Sequence, residues 1–314
     1  MSVMATERLF DELACVLDQE LEGSCRRNEA LCKHTSFRIG GPAALWVEAN
    51  SIADLRLVHV TAERHGLDLR VLGRGTNILA ADAGYHGVCV VLGPHFRTFT
   101  IDPEKECLTA GAGVLLARLV QSTQRAGLSG LEFATGIPGT LGAAIAGNVG
   151  TRDDWIGSRV REVTVYSPDG GLRQLRAAEI DFGYRRSSLR DAVTIVDARL
   201  ALQTDDPRRI ARRIEGALDR RKASQPLFTH NAGSVFRNPE GASAAELIEK
   251  LGMKGARRGD AQVSEVHANF IINQGNARAR DVRELIDEIH DKVLNSYDIE
   301  LKTEIRFLGT FDER

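Results

Sequence analysis

The sequence predicts an α+β fold in two or three domains. Predicted strands dominate the first two-thirds of the chain, whereas helices and strands alternate over the last third. Strands and helices that are segregated in this way are typical of α+β proteins. The length of 314 residues supports more than one domain, since a domain usually has roughly 100–200 residues.

The first elements are predicted by the spacing of their apolar residues. Residues 7–22 place apolar side chains at helical spacing, which predicts an amphipathic helix packed on the body of the protein or on a partner. Residues 45–49 form the next predicted strand. Ser51, with Asp54 three residues later, predicts the start of a helix. A second strand at residues 69–72 completes a short βαβ-like unit.

Paired strands continue through the middle of the chain. Residues 96–101 and 106–110 are predicted antiparallel neighbours, and residues 160–166 and 172–175 flank a turn sequence that predicts a hairpin. At residues 203–207 the composition shifts to a charged helix, which predicts a domain boundary. The remaining predicted elements are strands 88–92, 193–202, 268–273 and 301–308 and helices 114–126, 243–252 and 279–296.

Composition and charge exclude several classes of function. Lys and Arg number 41 and Asp and Glu 43, so the net charge of -2 does not indicate a nucleic-acid or membrane partner. No apolar run approaches the roughly 18 residues that span a bilayer, and the N-terminus lacks the pattern of a signal peptide. The five cysteines are odd in number and show no tight pairing pattern, which predicts free thiols in a reducing cytoplasm. They form no CxxC pair, which predicts no structural zinc site. No cluster of His, Cys and Glu has metal-ligand spacing, so no metal is expected.

Three glycine-rich loops are the candidate ligand-binding segments. Residues 73–77, 111–113 and 135–142 are each predicted to follow a strand, and their backbone N–H groups could converge on one pyrophosphate. Neither GxGxxG nor GxxxxGK[ST] is present, so a Rossmann or P-loop protein is not predicted. The two open interpretations are a dinucleotide held without Rossmann topology and a glycine-rich structural domain. Side-chain donors in these loops are Thr76, Asn77, Thr135 and Thr140.

Seven motifs resemble those of one protein family, and they occur in the family's order. They are HTSFRIGGPA at 34–43, LGRGTNIL at 72–79, GLEFATGIPGTLGAAIAGN at 130–148, FGYRRSS at 182–188, NAGSVFRNP at 231–239, VSEVHANFIIN at 263–273 and LKTEIRFLG at 301–309. Together they look like the UDP-N-acetylenolpyruvoylglucosamine reductases, the MurB family. The compact region at residues 190–230 resembles the shorter type II branch.

The resemblance implies a fold, an activity and two redox ligands. The fold is a flavin-binding domain of the PCMH or vanillyl-alcohol-oxidase type, with two α+β subdomains, followed by a C-terminal α/β substrate-binding domain. The implied activity is reduction of UDP-N-acetylglucosamine enolpyruvate to UDP-N-acetylmuramate in peptidoglycan precursor synthesis, with non-covalent FAD as cofactor and NADPH as hydride donor. A monomer is favoured. The predicted boundaries are 1–33 for an N-terminal helical extension, 34–95 and 96–204 for the FAD-binding subdomains, and 205–314 for the substrate-binding domain.

One segment departs from the family pattern. The family commonly continues with Met-Asn-Ala-Gly-Ala-Tyr-Gly after the glycine cluster, whereas residues 147–155 read GNVGTRDDW. The Asn and the second Gly are kept, and the Ala-Tyr-Gly part is replaced. We therefore expect the activity to be retained and the local flavin and substrate contacts to differ.

Three residues match catalytic positions of the family. Reduction of an enolpyruvyl ether needs a hydride at one alkene carbon, a proton at the next, and stabilisation of the charge that enters the carboxylate. Arg185 resembles the arginine that faces this carboxylate, and its planar fork suits it. Ser234 resembles the serine that protonates the carbon, which requires a nearby Arg or Lys. Glu304 is predicted on one strand face with Arg306 and Leu308, where burial would let it act as a protonated hydrogen-bond donor.

The matched motifs also imply binding residues. By similarity, Tyr184, Arg185 and Asn238 contact the substrate, and His267 and Asn269 are weaker candidates. A lone His beside a strand usually has a structural role. The predicted cofactor-binding residues are Gly73, Arg74, Gly75, Thr76, Asn77, Ile78, Gly111, Ala112, Gly113, Thr135, Gly136, Pro138, Gly139, Thr140, Gly142, Gly147 and Asn148.

Two alternative functions remain open for the sequence. One is a different flavoprotein of the same fold, such as an alcohol or hydroxy-acid oxidase, in which Ser234, Glu304 and Arg185 would have no evident task. The other is a non-catalytic nucleotide-binding relative, which only the altered segment at residues 149–155 supports. Bound FAD would exclude the second alternative, and NADPH consumption that depends on the enolpyruvyl sugar nucleotide would exclude the first.

Overall fold

The chain folds into two compact units. The computed structural model describes residues 3–151 and 153–311. Unit 1 comprises Met1–Asn28, Ala44–Gly73 and Gly87–Arg220, and unit 2 comprises Glu29–Ala43, Arg74–His86 and Arg221–Arg314. The four-part division expected from the sequence stays a prediction.

Helices and strands are mixed throughout, which confirms the predicted α+β class. The helices are α1 (Val3–Glu20), α2 (Ile52–Arg64), α3 (Leu116–Arg125), α4 (Leu141–Gly147), α5 (Pro207–Ser224), α6 (Ala244–Lys250) and α7 (Ala279–Tyr297). The strands are β1 (Ser24–Ala30), β2 (Pro42–Ala49), β3 (Leu69–Leu72), β4 (Ile78–Ala80), β5 (Tyr85–Leu92), β6 (Phe99–Asp102), β7 (Cys107–Gly111), β8 (Leu128–Ser129), β9 (Val160–Ser167), β10 (Gly171–Arg176), β11 (Phe182–Gly183), β12 (Arg186–Ser187), β13 (Thr194–Ala201), β14 (Gln203–Thr204), β15 (Arg257–Arg258), β16 (Ala261–Val263), β17 (Ile271–Asn273) and β18 (Arg306–Leu308).

Unit 1 is built around two main sheets. The first has the order β1-β2-β5-β3, with β3 and β5 parallel. The second has the order β10-β9-β13-β7-β6, with antiparallel neighbours. The predicted pairs β6 with β7 and β9 with β10 are therefore confirmed. Both sheets contribute to one apolar core, and Phe10 and Leu17 bury the apolar face of α1 in it. The predicted amphipathic helix thus packs on the body of its own unit.

A side-chain cap starts α2, as the sequence predicts. The Oγ of Ser51 accepts a hydrogen bond from the N–H of Asp54 at 3.1 Å. The carboxylate of Asp54 in turn accepts from the N–H groups of Glu22 and Gly23 at 3.0 and 3.1 Å. Ser51 and Asp54 therefore cap the start of α2 and accept hydrogen bonds from the backbone that follows α1.

Unit 2 has its own core around α7. The buried face of this helix includes Val282, Ile286 and Ile289, and it packs in one cluster with residues of β16 and β17. Strands β15, β16 and β17 form a small sheet, and β18 pairs in parallel with β4. The carboxylate of Asp82 accepts from the N–H groups of Ala279 and Arg280 at 2.8 and 3.1 Å, which satisfies the first turn of α7.

The glycine cluster contains a helix that the sequence did not predict. Residues 141–147 form α4, although two of its seven residues are glycines. Gly142 is explained by packing, because a Cβ there would lie 2.7 Å from the Cβ of Ala112. The prediction that residues 135–142 directly follow a strand is also wrong, since a single 3-10 turn at Glu132–Ala134 precedes them.

The last predicted strand is shorter than expected. Strand β18 begins at Arg306, and Glu304 lies before it. The prediction that Glu304 shares a strand face with Arg306 and Leu308 is therefore wrong. Glu304 is held instead by backbone pairing to a different segment of unit 2, which is described with the site.

The five cysteines are present as thiols. Cys15, Cys25, Cys32, Cys89 and Cys107 are free, as predicted. Burial raises the pKa of the Cys25 and Cys89 thiols to about 12, which keeps both protonated.

None of the helices within residues 3–151 and 153–311 is both long and apolar enough to cross a membrane. The same residues contain no group of three or more His, Cys, Asp or Glu that could hold a metal ion.

Candidate active site

Segments of the three glycine loops meet at the start of α4 in unit 1. A Cβ on Gly73 would lie 2.8 Å from the Oγ1 of Thr140, and a Cβ on Gly142 would lie 2.7 Å from the Cβ of Ala112. The N–H of Gly142 also donates to the carbonyl of Ala112 at 2.9 Å. Glycine at these positions therefore lets the exits of β3 and β7 pack on the N-terminal turn of α4.

The loop after β7 does not offer its N–H groups to a ligand. The N–H groups of Gly111, Ala112 and Gly113 donate to the carbonyls of Thr98, Val196 and Phe96 at 2.9, 2.8 and 2.9 Å. The prediction that these three groups bind a pyrophosphate is wrong, because the neighbouring backbone of unit 1 already uses them. Contact of this loop with a cofactor through other atoms stays a prediction.

Thr135 has a buried hydroxyl that finds no hydrogen-bond partner among the described residues. The exposed fraction of Thr135 is 7%. Gly136 and Gly139 follow at φ values of +71° and +136°, where other residues would be strained. Because an unsatisfied buried hydroxyl is costly, a polar ligand group fits here. Pro138 and Thr140 belong to the same predicted binding segment.

The predicted cofactor loop continues past Gly73 into unit 2. There, other residues of unit 2 already contact part of this loop. A Cβ on Gly75 would lie 2.1 Å from the carbonyl oxygen of His34, so the backbone of unit 2 requires this glycine. The Nδ2 of Asn77 donates to the carbonyl of Glu304 at 3.0 Å, and the N–H of Arg306 donates to the carbonyl of Asn77 at 2.9 Å. Ile78 then pairs with Arg306 in the β4–β18 ladder. Arg74 and Thr76 lie in the same loop, and their cofactor contacts stay predictions.

Backbone pairing brings the segments of Ser234 and Glu304 together. The N–H of Glu304 donates to the carbonyl of Val235 at 2.7 Å. Phe236 and Thr303 form an antiparallel bridge directly beside this bond. Glu304 is therefore adjacent in register to the residue that follows Ser234. The two motifs are 70 residues apart in the sequence, and their proximity is a property of the fold.

A tight turn presents Ser234. The N–H of Gly233 donates to the Oδ1 of Asn231 at 2.8 Å, and Gly233 has a φ of +78°. The Oγ of Ser36 donates to the carbonyl of Asn231 at 2.6 Å. Ser36 and Asn231 were not predicted as site residues, although both lie inside matched motifs, and motif membership was the signal that could have found them.

Asn269 holds the segment that follows Ser234. Its Oδ1 accepts from the N–H of Phe236 at 2.9 Å, and its Nδ2 donates to the carbonyl of Phe236 at 2.8 Å. The Nδ1 of His267 accepts from the N–H of Asn269 at 3.2 Å. Burial, together with the positive charge of Lys254, lowers the pKa of His267. His267 therefore supports this segment as a neutral ring, and its predicted substrate contact stays a prediction.

Arg185 occupies a strained turn between β11 and β12. Its φ is +56°, a conformation that non-glycine residues rarely adopt. Its Nη1 donates to the carbonyl of Gly150 at 2.8 Å, and its guanidinium lies 5.6 Å from the ring centroid of Tyr184. Tyr184 is 57% exposed. The hairpin thus presents an aromatic ring and an anchored cation side by side.

Asn148 fixes this hairpin. Its Nδ2 donates to the carbonyl of Gly183 at 2.9 Å, and its Oδ1 accepts from the N–H of Gly157 at 3.0 Å. Its predicted flavin contact stays a prediction, but the side chain serves the turn that carries Arg185. Gly147 is the last residue of α4, and a Cβ there would lie 3.0 Å from the Nη2 of Arg190.

Asn238 has a structural partner as well. Its Oδ1 accepts from the N–H of Ala244 at the start of α6, at 3.0 Å. Because the residue is exposed, the bond does not remove it from solvent. Its predicted substrate contact therefore stays a prediction on a side chain whose orientation is fixed.

Comparison with known proteins decides the family. Residues 43–176 match the FAD binding domain family, and residues 225–308 match the UDP-N-acetylenolpyruvoylglucosamine reductase C-terminal domain. The UDP-N-acetylenolpyruvoylglucosamine reductase of Moorella thermoacetica is 44% identical to this chain and covers 95% of it, over 97% of its own length. The chain belongs to the UDP-N-acetylenolpyruvoylglucosamine reductase family.

Other members of this reductase family agree. The reductase of Heliobacterium modesticaldum is 42% identical over 93% of both chains. The crystal structure of UDP-N-acetylenolpyruvylglucosamine reductase (MurB) from Thermus caldophilus has a TM-score of 0.79 at 35% identity, covering 92% of this chain and all of its own. The resemblance and the fold class predicted from the sequence are therefore confirmed, including an FAD-binding domain followed by the C-terminal domain of the reductases.

Proposed function

We propose that the chain reduces UDP-N-acetylglucosamine enolpyruvate to UDP-N-acetylmuramate, with NADPH as hydride donor and non-covalently bound FAD, in the cytoplasm. The observation that carries this proposal is the backbone pairing that sets Glu304 beside the Ser234 segment, because both residues match catalytic positions of the family. Its substrates are small nucleotides, so no nucleic-acid or membrane partner is required.

The residues of unit 1 fit a flavin dinucleotide. The buried hydroxyl of Thr135 has no partner among the described residues, which suits a polar group of a cofactor. Gly136 and Gly139 leave the backbone beside it without side chains. When bound, FAD would supply hydride chemistry by accepting a hydride from NADPH and delivering it to an alkene carbon.

Arg185 would bind the carboxylate of the enolpyruvyl group. Reduction drives negative charge into this carboxylate, and a guanidinium can meet it with two parallel hydrogen bonds. The turn of β11 and β12 and the carbonyl of Gly150 hold the guanidinium before substrate arrives. Such preorganisation stabilises the developing charge without a cost of reorientation at the moment of reaction.

Ser234 would donate the proton to the substrate carbon. A serine hydroxyl is a weak acid, so its conjugate base needs a cation nearby. Arg237 lies three residues further along the chain, and its Nε is buried without a hydrogen-bond partner among the described residues. Glu304 would act as a hydrogen-bond donor or proton source in the same step.

The predicted substrate-binding residues have complementary chemistry for a UDP-sugar. Tyr184 offers an exposed ring next to Arg185. Asn238 offers an amide that is fixed to the start of α6. His267 would contact the substrate through its Nε2, since its Nδ1 already accepts from the N–H of Asn269.

Purified protein tests this function directly. We expect FAD to be released on denaturation, which is the mark of non-covalent binding. Under anaerobic conditions, NADPH oxidation should require the enolpyruvyl sugar nucleotide and yield UDP-N-acetylmuramate, whereas UDP-N-acetylglucosamine, which lacks the alkene, should give none. Oxygen consumption with an alcohol or hydroxy acid would favour an oxidase instead, and protein without flavin would favour a non-catalytic relative.

A further inference from the structure

The segment that departs from the family pattern forms a closed turn around the anchor of Arg185. Gly150 and Trp155 form an antiparallel bridge, and the N–H of Ile156 donates to the carbonyl of Val149 at 2.9 Å. The carbonyl of Gly150 then accepts from the Nη1 of Arg185 at 2.8 Å. Arg152 lies outside the described residues. The turn therefore presents one backbone oxygen to the arginine proposed to bind substrate.

Asp154 holds this turn closed. Its Oδ2 pairs with the Nη2 of Arg159 at 2.5 Å, and its Oδ1 accepts from the N–H of Trp155 at 3.0 Å and from the Oγ of Ser158 at 3.1 Å. Its own carbonyl accepts from the N–H of Thr151 at 2.7 Å. One residue thus bonds to both arms of the turn.

The turn transmits a shift of Asp154 to Gly150. A Cβ on Gly150 would lie 2.4 Å from the carbonyl oxygen of Asp154 and 2.5 Å from the Cα of Trp155, so the two arms are in close contact. The other end of the network is fixed, because the Nε of Arg159 donates to the carbonyl of Gly130 at 2.9 Å. Closely packed atoms cannot move independently.

We propose that Asp154 is a positioning residue for Arg185: acting through the carbonyl of Gly150, it holds the guanidinium in the orientation that binds the substrate carboxylate. This inference rests on the proposed function. A bidentate contact is sensitive to small displacements of the guanidinium, so the effect of Asp154 should be confined to ligands that carry the carboxylate.

The Asp154→Asn variant tests this specificity, because it keeps the size of the side chain and removes its charge. We expect the affinity for UDP-N-acetylmuramate, which carries the carboxylate, to fall about tenfold. The affinity for UDP-N-acetylglucosamine, which lacks it, should not change. Isothermal titration calorimetry measures both, and FAD content with the thermal midpoint verifies folding. Asp153→Asn is the matched control, since Asp153 is exposed in the same segment, and it should leave both affinities unchanged.

A double substitution separates positioning from general destabilisation. In an Arg185→Ala background, Asp154→Asn should cause no further loss of affinity for UDP-N-acetylmuramate, because its effect runs through Arg185. Additive losses, equal losses for both ligands, or an unchanged affinity would each overturn the inference. If Asp154→Asn does not fold, Arg159→Lys tests the same expectation by removing the Nε donor to Gly130. A wild-type protein that does not reduce the enolpyruvyl substrate would contradict the proposed function, whereas an active wild type with an unaffected variant contradicts only this inference.

Discussion

The N–H of Glu304 donates to the carbonyl of Val235 at 2.7 Å, so the backbone sets Glu304 in register with the segment that follows Ser234. Asn77 adds a second restraint, since its Nδ2 donates to the carbonyl of the same glutamate at 3.0 Å. Both restraints use main-chain atoms of Glu304. Replacement of the Glu304 or Ser234 side chain therefore leaves this framework in place, and the resulting change in rate reports on chemistry.

Glu304→Gln should impair reduction of the enolpyruvyl substrate by about 10²–10⁴-fold if the carboxyl group assists proton transfer. Bleaching of the FAD absorbance by NADPH does not involve the enolpyruvyl group and should be unchanged. Rapid-mixing absorbance measurements report both rates. Glu300→Gln, at an exposed position a few residues earlier, is the control and should behave as wild type. Near-normal turnover of Glu304→Gln would remove Glu304 from the mechanism.

Gly139→Val should abolish FAD binding while unit 1 stays folded. Gly139 has a φ of +136° and lies in the segment at residues 135–142 that we assign to the cofactor, so we expect an added side chain there to displace the cofactor. The FAD absorbance per protein after gel filtration measures the loss. Gly171→Val is a matched control, because Gly171, at the start of β10, also has a positive φ and no atom lies within 4 Å of its Cβ position. Stoichiometric FAD in Gly139→Val would contradict the assignment of this loop.

The pH dependence of stability should include a contribution from His267. Burial and Lys254 lower its pKa in the folded state, so the unfolded chain binds the proton more tightly. Stability from this residue is therefore present above the unfolded pKa of about 6.5 and is lost as the pH falls below it. Protonation would also remove the Nδ1 acceptor of the Asn269 N–H.

Thermal midpoints measured between pH 5 and 7.5 check this prediction. His267→Gln keeps an acceptor for the Asn269 N–H and should reduce the loss of stability on acidification. The control is His95→Gln at an exposed site, which should leave that loss unchanged. Identical acid sensitivity of wild type and His267→Gln would show that the ring does not contribute.

The spacing of apolar residues predicted the helices and strands that bury one face. It did not predict elements that are stabilised in other ways. The hairpin of β9 and β10 was predictable because apolar residues flank a turn sequence. Strand β1 was not predicted, because this edge strand of its sheet carries Arg26 and Asn28 exposed and shows no apolar alternation. Helix α4 was not predicted because glycines usually indicate a loop. The close contact with Ala112 explains why Gly142 is a glycine within this helix.

The motifs supplied the residues of the candidate site, whose ligand contacts stay predictions, but they did not predict the contacts that those residues make within the protein. Asn148 lies in the predicted flavin segment, yet its amide donates to the carbonyl of Gly183, 35 residues away. The role of Gly150 as an acceptor for Arg185 was equally hidden, since a backbone carbonyl leaves no mark in the residue types. Spacing along a chain does not show contacts that tertiary folding creates.

Ser234→Ala gives the most direct test of the central claim, that this serine protonates the substrate carbon. The change removes a hydroxyl and little volume, so folding, FAD content and anaerobic bleaching of the flavin by NADPH should be near normal. Return of the FAD absorbance on adding the enolpyruvyl substrate should slow by several orders of magnitude, because Ser234 is the group that we assign to protonate the substrate carbon. Ser234→Cys should recover part of the rate, since a thiol can still deliver a proton.

Stopped-flow measurement of these two rates in wild type, Ser234→Ala and Ser234→Cys therefore decides the matter. The account predicts normal bleaching in all three proteins, very slow recovery in the alanine variant and intermediate recovery in the cysteine variant. Equal losses in both rates, loss of FAD, or no difference between the alanine and cysteine variants would show that Ser234 only shapes the turn after Gly233, and would contradict the account.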